Sequence, residues 1–182
     1  MIFRNDDVSA NSIGLKEYYD VLTSRFPDCE IYSCTNVFAK SSHQMKASVY
    51  PDLPLKDKPL DYFLDVDKVK NEAWFMELDF PNVKIVSHGL WHFDHTAVQY
   101  DLKKASIISS CRILHTDIFV PPFNRWDIEM DEICKNNGIT MIKSELEGWK
   151  SFEHNKFDLS LSLWYFHSWR WTPGSLKAYL NG

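Results

Sequence analysis

Short apolar runs alternate with longer amphipathic ones along nearly the whole chain, and this alternation constrains the fold more than any other feature. The segments 1–4, 30–34, 83–87, 117–120, 139–143 and 161–166 are strand-like. Between them, 15–26, 60–78, 97–114 and 127–137 place apolar residues at helical spacing, and 173–180 is a last helix with proline at its start. Asn137-Gly138 supplies a C-terminal stop for the fourth helix. Strand-helix repetition of this kind predicts a parallel sheet covered by helices. Six strand-like runs fit either an open doubly wound sheet or an incomplete barrel, and in both the chemistry gathers at the C-terminal strand ends. The 182 residues fit one domain, 1–182, with no repeat and no internal boundary. The polar, proline-rich stretch at about 39–59 is too long for a routine connection and reads as a lid-like insertion that shapes specificity.

The residues after four of the six strand-like runs are polar or conformationally special. Asp6-Asp7 follows the first, His88-Gly-Leu-Trp-His92 the third, Pro121-Pro122-Phe123-Asn124 the fourth and His167-Ser-Trp169 the last. Adjacent carboxylates in a continuing strand point to opposite faces. Where a strand ends and the chain turns, both can face one site, and a bound cation then relieves their repulsion. A cap or a solvated loop start also uses Asp. His88 and His92 are four apart, a spacing that puts two imidazoles on one face of a helical turn. Two His and one Asp make a three-ligand set that leaves positions for water and substrate. His95 competes for the third place, and Asp7 is preferred because the Asp pair otherwise lacks a role.

Composition excludes several classes. The net charge is −5 with no long basic run, so nucleic-acid binding has no electrostatic support. No apolar run approaches the ~20 residues of a membrane span, and the N-terminus lacks a signal-peptide pattern, which predicts a cytoplasmic protein. The four cysteines form no Cys-x-x-Cys and are expected to be free and buried. Aromatics reach 15%, with seven Trp, enough to build core or to line a groove that stacks on sugar rings. Trp149, Trp169 and Trp171 are the candidates for such a wall.

Together these motifs resemble the polysaccharide deacetylase family, the NodB homology domain or carbohydrate esterase family 4. The family's Thr-Phe-Asp-Asp-Gly is similar to Arg4-Asn5-Asp6-Asp7-Val8, and its His-x-x-x-His to His88-Gly89-Leu90-Trp91-His92. Val120-Pro121-Pro122-Phe123 keeps the Pro-aromatic part of a third motif, and Trp164-Tyr165-Phe166-His167 approximates a late Leu-x-His. The resemblance spans residues 3 to 167. It implies a distorted, incomplete (β/α) barrel of about six to seven parallel strands. It implies a metal-dependent N-deacetylase that removes acetyl, or formyl, from a saccharide or polysaccharide precursor. Asp6 would be the general base and His167 the general acid. Asp7, His88 and His92 would hold one divalent ion, zinc first, with cobalt, nickel, iron or manganese as alternatives. The backbone N–H of Phe123 would be the oxyanion donor, with Asn124, Trp149 and Trp169 near the substrate. The family's third-motif Arg is absent at Val120, and either Arg4 or Arg125 would hold Asp6 ionised in its place. A metal-dependent esterase and a non-catalytic sugar-binding protein on the same fold are the rival readings. The sequence leaves the oligomeric state open.

Overall fold

Strand β1 (Ile2–Val8) is the chain's first element and lies in the interior of its sheet, between β2 and β7. The structure, a computed structural model, describes residues 1–9, 12, 14–37 and 80–181. The helix expected over 60–78 and the insertion at about 39–59 lie outside these residues. The remaining strands are β2 (Glu30–Thr35), β3 (Val83–Ser87), β4 (Ile118–Phe119), β5 (Thr140–Met141), β6 (Lys150–Ser151) and β7 (Leu163–Phe166). All pair in parallel, in the order β5-β4-β3-β2-β1-β7-β6, and form a curled half-barrel. The helices are α1 (Leu15–Arg25), α2 (Tyr100–Ile113), α3 (Ile128–Asn136), α4 (Ser144–Glu147) and α5 (Pro173–Asn181).

Side chains alternate between the two faces of the strands, and this sorts the core. Phe3, Ile31, Trp164 and Phe166 point outward and pack with Tyr19 and Leu22 of α1 and Leu176 and Leu180 of α5. Ile2, Tyr32, Cys34, Val86, Tyr165 and Trp149 line the inner, concave face. A third cluster joins α2 and α3 to β4 and β5 through Ile107, Phe119, Met130 and Ile133. All four cysteines are free and buried. No helix among the described residues is long and apolar enough to cross a membrane.

Three elements depart from the sequence expectation. β1 does not stop at residue 4 but runs through Asp7, and its register with β2 shifts between Asn5 and Val8. The helix expected from residue 97 starts at Tyr100, because Asp94 first caps a 3-10 turn at His95–Ala97 by accepting from the Thr96 N–H. β6 has no apolar signature of its own and exists by pairing with β7. The chain from β5 to β6 connects the two edges of the sheet across its concave face, which brings Ser144 and Trp149 onto Arg4.

Candidate active site

Arg4 and Asp6 lie two apart in β1 and share its inner face. The Arg4 guanidinium is fully buried, and its Nη2 donates to Asp6 Oδ2 at 2.8 Å while Nε lies 2.8 Å from Oδ1. Nη2 also donates to Asn124 Oδ1 at 2.8 Å, and Nη1 to Ser144 Oγ at 2.5 Å. The rings of Trp149 and Tyr165 sit 4.9 and 4.8 Å from its central carbon. Burial works against the charge, but Asp6 outweighs it and the Arg4 pKa is raised. Arg4, not Arg125, is therefore the partner of Asp6. Arg125 is exposed and donates to Asp94 Oδ2 at 2.8 Å, a carboxylate within easier reach of its loop. Trp149 is buried against Arg4 and gives its N–H to Glu147, so it offers no open platform for a sugar. The Asn124 amide oxygen is likewise spent on Arg4 and Ser144.

Asp7 takes a left-handed backbone, φ 61°, which an L-residue adopts only at a cost. This, with the register shift, lets Asp7 leave the strand's alternation. Its Oδ1 lies 2.6 Å from His92 Nε2 and 3.4 Å from His88 Nε2. The three donors lie within 4.8 Å of one another. His88 Nδ1 sits 2.7 Å from the Val120 carbonyl, which can only accept, so Nδ1 carries a proton and, in the neutral ring, Nε2 presents a lone pair. A lone pair and a carboxylate oxygen at 3.4 Å repel unless a cation or a proton lies between them. The set of two nitrogens and one oxygen thus fits a divalent ion. Burial alone would raise the Asp7 pKa, but the two histidines hold it well below the usual carboxylate range. Burial pushes His92 down, toward neutral imidazole. Carboxylate and neutral imidazole are the forms that ligate.

His95 stands apart from this cluster. It is fully buried, with Nδ1 3.1 Å from the Phe93 carbonyl and Nε2 2.9 Å from Ser106 Oγ, and burial lowers its pKa to about 3. Both nitrogens are occupied, one by the loop and the other by Ser106 of α2, so Asp7 rather than His95 is the third donor.

His167 follows β7, on the strand next to β1. Its Nε2 lies 3.9 Å from Asp7 Oδ2. Its Nδ1 and its backbone N–H both face Glu153 Oε1, at 3.1 and 3.0 Å. Burial favours neutral imidazole, but Glu153, Asp6 and Asp7 outweigh it and raise the His167 pKa. Glu153 itself is lowered to about 2: hydrogen bonds from His167 and Ser151 overcome its burial. Sequence reading missed Glu153 and Ser144, since neither belongs to a motif and only the folded sheet brings them in.

Two half-exposed aromatics flank the cluster. Phe123 is 51% exposed, with its ring edge-on to His92 at 4.5 Å, and Trp169 is 47% exposed, with its ring 5.4 Å from His167. Phe123 and Asn124 are both left-handed, with φ of 60° and 56°, so the loop after Pro121-Pro122 holds strain beside the donors.

No family model matches the chain, and no curated protein does. Among solved structures, a family 4 carbohydrate esterase from Streptomyces lividans, in complex with acetate, has the same fold. The TM-score is 0.51 at 9% identity, covering 98% of this chain and 81% of that one.

Proposed function

We propose that the protein is a metal-dependent hydrolase that removes an N-acetyl, or N-formyl, group from a saccharide or polysaccharide precursor. The observation that carries this reading is the convergence of Asp7, His88 and His92 beside an arginine-clamped Asp6 and a glutamate-backed His167. The likeness in fold to a carbohydrate esterase supports the substrate class.

A divalent ion held by Asp7, His88 and His92 would supply Lewis acidity at the acyl carbonyl. Asp6, fixed by Arg4, takes the proton of the attacking water. The Phe123 N–H donates to the oxygen that becomes negative. His167 Nε2 gives its proton to the leaving amine, while Glu153 fixes the ring through Nδ1 and stabilises the charged form before the transfer. Water enters, the C–N bond breaks, and a carboxylic acid and a free amino sugar leave. Trp169 and Phe123 offer apolar surface to the sugar ring.

Metal content of the purified protein, measured by plasma mass spectrometry beside His88→Ala and His92→Ala, tests the centre. About one ion per chain, lost in both variants, is the expected result. Wild type that stays metal-free even after exposure to zinc or cobalt would end the hydrolase reading. Acetate release from N-acetylated saccharides, abolished in Asp6→Asn without loss of saccharide binding, tests the base. The neighbour's own designation as an esterase favours one second reading, release of acetate from an O-acetylated sugar. Parallel assays on O-acetyl and N-acetyl forms of one saccharide separate the two.

A further inference from the structure

Asp7 has two oxygens with different surroundings. Oδ1 faces His92 and His88, at 2.6 and 3.4 Å. Oδ2 faces the other way, accepting from Trp169 Nε1–H at 3.3 Å, with His167 Nε2 at 3.9 Å. The indole is held in place: the Arg170 guanidinium lies 4.7 Å from its ring centroid, and the 3-10 turn Ser168–Arg170 is anchored by the Ser168 N–H to Asn5 Oδ1 at 2.9 Å. The anchor therefore comes from β1 itself, two residues before Asp7.

We propose that Trp169 is a positioning residue for the metal centre: its N–H engages Asp7 Oδ2, so that Asp7 presents Oδ1 alone to the cation. This rests on the hydrolase reading and adds to it. A carboxylate on a short, left-handed segment can rotate and offer both oxygens to an ion, which would fill a position needed for water or substrate. The N–H prevents that rotation. It also stops Oδ2 from pairing tightly with the His167 Nε2–H, which the reaction needs free. Outer partners of this kind change metal affinity by about 10- to 100-fold when removed.

The test is a cobalt(II) titration of the metal-stripped full chain, followed by visible absorption, for wild type and Trp169→Phe. Phenylalanine keeps an aromatic ring at this half-exposed place and removes only the donor. The expected result is a change of about 10- to 100-fold in cobalt affinity and an altered absorption band as Asp7 Oδ2 becomes free to bind, with the melting temperature of the metal-free protein unchanged. Identical affinity and band in the two proteins would overturn the proposal and leave the hydrolase reading standing. Wild type that binds no cobalt would overturn both. Trp169→Gln, which restores an N–H donor without the ring, provides the second arm. Recovery of the wild-type band there supports the donor, and a band unchanged from Trp169→Phe counts against it.

Discussion

A guanidinium withdrawn from water needs an opposite charge and hydrogen-bond acceptors close by. At Arg4 the charge meets Asp6, Asn124 and Ser144 take further donors, and two aromatic rings cover the faces. Removing one member of a buried pair leaves the other without compensation, a loss of about 3–5 kcal/mol. Arg4→Met should lose stability on that scale in urea unfolding. Arg4→Met/Asp6→Asn should lose much less than the sum of the single changes, and additive losses would mean the two groups do not act as a pair. The sequence offered this pairing as one of two, because residues two apart in a strand share a face, and left Arg125 as the alternative. Glu153 was not legible there, because it lies in a polar turn and meets His167 only through the pairing of β6 with β7. Glu153 carries its own prediction. Its pKa is lowered from 4.5 to about 2, so its contribution to stability is full above about 4.5 and is lost as pH falls toward 2. Glu153→Gln should be less stable than wild type at pH 6, with the difference closing between pH 4.5 and 2 in acid unfolding curves. A difference that stays constant across that window would show that Glu153 acts by packing alone.

At the scale of elements, the segment after β3 is held by serines rather than by its own turn geometry. Ser106 on α2 accepts the Leu90 N–H at 3.1 Å and meets His95 Nε2 at 2.9 Å. Ser87 accepts the Gly89 N–H at 3.2 Å and bonds Ser110 at 2.6 Å. The His88–His92 spacing suggested a helical turn. The segment is instead an irregular loop stapled to α2, which brings the same two rings to 4.9 Å by other means. Spacing could point to the pair but not to the staples, because buried serines on a helix look like ordinary surface residues in sequence. Gly89 is the tightest point, with φ +95° and room for no Cβ: it would sit 2.9 Å from His95 Cε1 and from the Trp91 carbonyl. Gly89→Ala should therefore cost at least about 1–2 kcal/mol from the backbone alone, with the clash in addition. The loss should appear together with weaker cobalt binding, since His88 precedes Gly89 directly. A variant as stable as wild type would mean that the loop relaxes freely.

At the scale of the whole molecule, the site sits where the sheet is best supported. β1 is an interior strand, flanked by β2 and β7, and these three strands carry most of the large outward-facing core. The edges are weak by comparison: β5 and β6 are two residues each. Alternation of strand and helix made the parallel sheet legible. It gave no order for the strands and no sign that the chain crosses from one edge to the other through the concave face. That crossing is held at Arg4, which ties α4 through Ser144 and the approach to β6 through Trp149. Amide exchange should follow this layout, with the strongest protection in β1, β2 and β7 and the weakest at β5 and β6. Arg4→Met should then raise exchange selectively in α4 and β6, because the two edges lose the buried cation that joins them to β1. Trp164→Ala, a deletion in the outward-facing core, should instead raise exchange broadly across β1, β2 and β7. The same pattern in both variants would mean that the concave seam unfolds with the core and that Arg4 serves only Asp6.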